Sequence, residues 1–426
     1  MRAWTMLAWG LLLAAVAALG ACGGGTDTSK ARIRLVNASS GYSALDMSTD
    51  DTRRFSSVAY GQTDAYVEVD PDNMDSVISR PDSATPLVSL TPTVAKNKDY
   101  TVLAYGVEGG LSALVLDDNT ATPDSGKSLL RVINAAPDAG AVDVYVTASG
   151  DSLADAVALQ TAAAVGTLGS YVSVNSGSWR LRVTAAGSKT DVRLDVSGLN
   201  LDSEQVQTLV VTPGRGGVLV NALLLVDRGA VTRADSTQAR VRVAAGVSDG
   251  GSVVAAVGGS TLMNGTAAPA VGAYALVTAG RPALDVAVNG AGVTAPATTL
   301  AAGGDYTLLV YGPAGAPQVA VIEDDNRLAS DASMAKVRLV HGVANLNTAL
   351  ALTADFFPVA DGVLPGTASA YARLAATTTA ALAVTTPGAS SPIFSATDQV
   401  FSAGRNYTLF MVGAAGAPVG ILRADR

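Results

Sequence analysis

The residues able to do chemistry in this chain are few and scattered. His341 is the only histidine, and a hydrolase triad or a histidine-rich metal site would have to use it. It closes the segment Arg338-Leu339-Val340-His341-Gly342, and three similar segments carry Asn37, Asn134 and Ala245 at that place. That set reads as a polar strand end with a local hydrogen bond, and one imidazole with no evident partner makes no catalyst. Two acidic runs, Asp117-Asp118-Asn119 and Glu323-Asp324-Asp325-Asn326, fall at matching places. Hard cations take several carboxylate and carbonyl oxygens, so Asp117, Asp118, Asp324 and Asp325 are where calcium could stiffen a junction. A solvated turn is the alternative. Asp70-Pro71-Asp72-Asn73-Met74-Asp75 has the flavour of a calcium loop, but Met74 takes an alternate ligand position. Arg34, Arg131, Arg242 and Arg338 recur and are expected on the solvent face of a first strand, where a charge discourages edge-to-edge pairing. Gly126-Lys127-Ser128 lacks the upstream glycine of a phosphate loop. No tryptophan platform accompanies a carboxylate pair, Trp179 being the one tryptophan beyond the first ten residues. These patterns assign no catalytic, cofactor-binding or metal-binding residue, and no cofactor is expected.

The elements that must carry these residues repeat. Arg34-Leu35-Val36-Asn37-Ala38 returns as Arg131-Val132-Ile133-Asn134-Ala135, Arg242-Val243-Ala244-Ala245-Gly246 and Arg338-Leu339-Val340-His341-Gly342. A tyrosine follows each arginine, at Tyr66, Tyr171, Tyr274 and Tyr371. A third anchor comes next, Asp99-Tyr100-Thr101, Asp305-Tyr306-Thr307 and Asn406-Tyr407-Thr408, with Gln207-Thr208 in the second copy. Gly106, Gly214, Gly312 and Gly413 then end the strand. A period of roughly 100 residues is the size of one small sandwich domain rather than a solenoid turn. In the third copy seven short runs, at 241–244, 253–257, 274–277, 284–288, 298–300, 306–311 and 318–322, read as strands, with turn residues in the gaps. The fold class is all-β: four tandem immunoglobulin-like β-sandwich modules at 31–118, 128–228, 238–326 and 335–426. Tyr306 and Tyr407, each delivered by a glycine-bearing turn, resemble the tyrosine corner, whose hydroxyl bonds back to the backbone. A core aromatic with its hydroxyl in water is the other reading. The polar connections 119–127, 228–237 and 326–335 predict a string of four beads that bends but separates little.

Composition limits the partners. With 28 basic against 36 acidic side chains the net charge is −8, which offers no footprint for a phosphate backbone, so no nucleic acid is expected. The single Cys22 leaves no disulfide, zinc site or spare nucleophile.

Cys22 itself lies behind Arg2, an apolar run from Met6 to Leu19, and Leu19-Gly20-Ala21. The run is shorter than the ~20 residues that span a bilayer and reads as a secretory signal peptide, 1–21. Leu19-Gly20-Ala21-Cys22 resembles the bacterial lipobox, which implies cleavage before Cys22 and a diacylglycerol on its sulfur. Residues 22–30 would then be a flexible lipidated tether. Gly23 rather than Asp after the cysteine implies, by analogy with Gram-negative lipoproteins, an outer-membrane address.

In the second copy, Arg131-Val132-Ile133-Asn134-Ala135-Ala136-Pro137-Asp138-Ala139 followed by Val142-Asp143-Val144-Tyr145-Val146 resembles the domain of unknown function numbered 4397. The fourth copy keeps that family's histidine as His341 and loses its Pro-Asp turn; the first and third are further removed. The resemblance implies a tandem array of extracytoplasmic sandwiches on bacterial envelope proteins, with no assigned activity. The expectation is a nonenzymatic envelope lipoprotein, anchored to membrane lipid through acylated Cys22, acting as a spacer or binding module for an envelope protein or glycan. An envelope hydrolase or glycan-processing enzyme, and a calcium-stiffened adhesive stalk, are the alternatives.

Overall fold

Residues 27–426 are described by a computed structural model. The signal peptide, Cys22 and residues 22–26 of the tether lie outside the described residues. Asp27 to Lys30 form a turn, capped where Asp27 accepts the Ser29 backbone N–H at 2.9 Å and tied to the first module by a Lys30–Asp70 ion pair.

The described chain is all-β, and its one helical element is the 3-10 turn Pro137–Ala139. Each module is a sandwich of two sheets, and the third shows the plan. One sheet runs Ala275–Thr278, Gln238–Ala245, Asp305–Tyr311, Gln318–Asp324; the other runs Ser260–Ala267, Ser252–Val257, Leu284–Val288, Ala291–Val293. The first strand is central and pairs parallel with Asp305–Tyr311, whose antiparallel hairpin mate is Gln318–Asp324. That parallel pairing recurs in all four modules and in one register, which sets Arg34, Arg131, Arg242 and Arg338 opposite Thr101, Thr208, Thr307 and Thr408. Alternate inward residues such as Val241, Val243 and Ala245 fill the core of each sandwich.

Run 298–300 is not a strand; Leu300 makes only an isolated bridge to Gly280. Ser260–Ala267 is a strand the sequence reading passed over, because Ser-Thr-Leu-Met-Asn-Gly-Thr-Ala is mostly exposed and breaks its alternation.

The string of beads is corrected by the outward faces of the first sheets, which pack against each other in pairs. Val36, Leu103 and Leu116 of the first module share one buried cluster with Ile133, Val210 and Leu223 of the second. Ala244 and Leu309 of the third share another with Val340, Phe410 and Val412 of the fourth. The first strands are therefore buried on both faces, which no alternation pattern reveals. The connection 228–237 is not a bare linker either: Val231–Ala234 pairs with Val220–Val226. The two pairs also touch, through a Gly216 N–H to Gly303 carbonyl bond of 2.7 Å and a Leu328 N–H to Asp138 carboxylate bond of 2.8 Å.

Candidate functional site

The recurring arginines are buried, 2 % exposed at Arg34, Arg242 and Arg338 and 8 % at Arg131. This corrects the expectation of a solvent-facing ladder. They point from the outward face of the first strand, but that face is the interface between modules.

There the anchors that repeat along the chain meet as one constellation. In the third module Arg242 Nε donates to Thr307 Oγ1 at 2.9 Å, Thr307 donates to Asp324 at 2.7 Å, Tyr274 donates to the same oxygen at 2.6 Å, and the guanidinium lies 4.5 Å over the Tyr274 ring. The fourth module repeats this with Arg338 to Thr408 at 2.9 Å, Thr408 and Tyr371 each to Asp425 at 2.6 Å, and Arg338 4.6 Å over Tyr371. The two quartets then exchange charges: Arg338 bonds Asp324, and Arg242 bonds Asp425. Two cations and two anions, all nearly dry, neutralise one another. Burial pushes the Asp324 carboxyl up, yet Arg338 and Arg242, with the Tyr274 hydroxyl, outweigh it and hold Asp324 below the usual carboxylate range.

The first pair of modules uses the same residues less completely. Arg34 Nε donates to Thr101 at 2.7 Å, and Thr101 and Tyr66 both donate to Asp118 at 2.5 Å, but Arg34 stands 4.0 Å from Asp118 and spends its other nitrogens on the Val226 and Gly229 carbonyls. Those carbonyls exist there because the chain turns after Val226 and returns as Val231–Ala234. Arg131 still reaches Thr208 at 2.9 Å and lies 4.4 Å over Tyr171, while Arg131 Nη2, the Tyr171 hydroxyl and Asp227 Oδ2 are buried without hydrogen-bond partners. Burial and the neighbouring Asp118 carboxylate push Asp227 up to about 7, against the pull of Arg131 and Arg34.

The sign of the linkage follows. A carboxyl raised from its ordinary value to about 7 keeps a proton in the folded state that the unfolded chain has released. Its favourable contribution is whole below the ordinary value and disappears as pH rises through about 7. Asp227→Asn should therefore leave the melting temperature near pH 3 almost unchanged and raise it relative to the parent by a margin that grows as pH climbs from the ordinary carboxyl value to about 7. Parallel melting curves of parent and variant across that range would contradict the assignment.

The other sequence candidates resolve structurally. His341 accepts the Val343 N–H at Nδ1 (3.2 Å), so its proton is on Nε2, which faces the Thr348 carbonyl at 3.1 Å. Asn37 and Asn134 do the same job: each side-chain oxygen accepts the N–H two residues on, from Ser39 and Ala136, and each amide donates to nearby carbonyls. Burial lowers the His341 pKa, in keeping with a neutral ring. His341→Asn should thus cost no more than about 1 kcal/mol, whereas His341→Leu, which strands the Val343 N–H, should cost about 1–3 kcal/mol in urea unfolding. Equal losses would remove the capping role.

Asp118 and Asp324 hold the quartets together, so their oxygens are committed to arginine, tyrosine and threonine rather than open to calcium. Asp117 instead accepts the Asn119 N–H, and Asp325 pairs with Arg327 at 2.7 Å. Met74 is core, 1 % exposed. Among the described residues no group of three or more His, Cys, Asp or Glu side chains is placed to hold a metal ion. The tyrosine corner is present three times: Tyr100, Tyr306 and Tyr407 hydroxyls accept the N–H groups of Ala95, Ala301 and Ser402, five residues upstream. At the position of the missing tyrosine, Gln207 accepts the Ser128 hydroxyl at 2.9 Å. Sequence reasoning singled out the recurring arginines, tyrosines and threonines and two of the acidic runs but not their partnership; the signal was there in the constant 17-residue spacing from the threonine to the closing aspartate in the first, third and fourth modules.

Fold and interface together define a tandem β-sandwich protein whose modules pack in pairs, the third and fourth locked by a buried ion cluster. The family described as Domain of unknown function (DUF4397) matches residues 31–145 and 239–349, more than half of the sequence, and the chain belongs to that family. No curated protein matches it. Among solved structures, it is similar to the Bacillus anthracis TIE protein at 8% identity and a TM-score of 0.15, covering 86% of this chain and 66% of that one. A candidate cell adhesion protein from Bacteroides ovatus matches at 10% identity and a TM-score of 0.13, over 71% of this chain and 97% of that one. No helix among the described residues is long and apolar enough to cross a membrane.

Proposed function

We propose that this protein is a nonenzymatic lipoprotein of the bacterial cell envelope, exported and held through acylated Cys22, with the outer membrane as its address. Its paired sandwiches serve as a stiff spacer and binding module for a protein or glycan partner. The observation that carries this reading is the fate of the polar residues that recur in the four modules. Arg, Tyr, Thr and Asp are turned into module-to-module interfaces, where Arg242 and Arg338 pair with Asp425 and Asp324 of the neighbouring module, and His341 caps a backbone turn. A chain that commits its repeated polar chemistry to rigidity is suited to holding something at a distance.

The test is Cys22→Ser in the native host. The expected result is loss of the protein from the membrane fraction and a mass lacking the lipid adduct. Unchanged fractionation and mass would end the anchored reading.

A further inference from the structure

Three modules open their second sheet with a hairpin that turns on two residues in left-handed backbone. These are Asp50-Asp51 (φ +46°, +60°), Gly258-Gly259 (+56°, +82°) and Asp355-Phe356 (+47°, +68°). Aspartate and glycine suit such turns. A phenylalanine does not, and at φ +68° it is a genuine outlier. Phe356 is also 96 % exposed, and its neighbour Phe357 is 73 % exposed. The fold recovers neither the backbone strain nor the solvation cost of this tip, and strain retained with no structural return marks a contact surface.

A complementary surface exists on the third module. Its edge strand Ala291–Val293 and last strand Gln318–Asp324 border a cleft of about 910 Å³, walled by apolar Val293, Ala295, Pro296 and Val319 and by polar Asn289 and Gln318, with no charged side chain. In the fourth module the same gap is closed from within. Phe394, first residue of the edge strand Phe394–Phe401, lays its ring against Gly420 of the last strand. Strand register makes Val293 the counterpart of Phe394, since Val293 pairs with Val286 and Phe394 with Val384, each two residues beyond the hairpin-end pairs Val257–Leu284 and Ala354–Leu382. A phenylalanine ring is thus what this sandwich uses to fill that gap, and the third module lacks one.

We propose that the Phe356-Phe357 tip of one molecule seats in the third-module cleft of a second copy. The joined patches differ, so the contact is heterologous and links chains head to tail.

Sedimentation of the full-length protein in detergent, from micromolar to near-millimolar concentration, tests this. The parent's average mass should rise with concentration. Phe356→Gly should weaken the association at least about tenfold, as loss of an aromatic anchor does, while keeping or raising the melting temperature, because glycine fits the turn. The double change Val293→Phe with Val319→Gly, which rebuilds the fourth module's plug, should block association from the other side. A mass independent of concentration overturns the proposal. So does association that survives either variant, including loss with the tip variant but not with the plugged cleft, which would put the tip against another surface.

Discussion

Arg338→Ala is expected to lower the unfolding free energy of the third and fourth modules by about 3–5 kcal/mol, the range for removing one partner of a buried ion pair. The arginine is 2 % exposed and serves three groups at once: Thr408, the Tyr371 ring and the Asp324 carboxylate across the interface. Without it, Asp324 keeps its threonine and tyrosine donors but has only Arg242, at 3.8 Å, as a cation. Its carboxyl, now held low, would be driven up by burial. The parent's Asp324 contributes stability above the ordinary carboxylate value and loses it as pH falls through its depressed one. In the variant that contribution shrinks, so the largest deficit should appear at neutral pH and narrow in acid. Urea unfolding at pH 7 and pH 4 measures both. A loss under 1 kcal/mol at pH 7 would mean that the cluster is decoration.

Phe410→Ala should have a similar effect by a different route. The ring is fully buried between the third and fourth modules among Leu309, Val340 and Val412, with Arg242 4.9 Å from its centroid. Truncating a buried phenylalanine costs about 3–5 kcal/mol through lost transfer energy and the cavity left behind. Because the cavity would open at an interface rather than inside a sandwich, the modules should part before either unfolds. Limited proteolysis should then cut the connection 326–335 faster, while the hydrogen-exchange protection of each sandwich core stays close to that of the parent. Unchanged cleavage would show that the apolar contact is not what joins them.

The strands and the sandwich class were legible because the turns are punctuated by glycine and proline and the core positions alternate. The tyrosine corner was legible because its geometry is local, five residues from hydroxyl to N–H. What failed was the environment of the recurring arginines. Arg34, Arg131, Arg242 and Arg338 alternate with core residues, and a charge on the far face of a strand is ordinarily wet. Only the packing of one module on the next dries that face, and packing between modules leaves no period in the sequence. The acidic runs misled for the same reason: Asp118 and Asp324 read as ligands because the groups that claim them come from other strands, Thr101 and Tyr66 for Asp118 and Arg338 of the next module for Asp324. The edge strand Ser260–Ala267 sets only Met263, with Leu262 beside it, against the core, and two adjacent apolar residues in eight leave no alternation to read.

The exchange of Asp324 and Asp425 between neighbours has a bearing on how such a chain can lengthen. Each unit offers the same face that it requires, as the subunits of a symmetric dimer do, so one unit satisfies another and a solitary one is left with a bare apolar sheet and a pair of stranded charges. Parity is therefore built into the architecture: gain or loss by twos preserves every closed face, and an odd member would have to find its complement on another molecule.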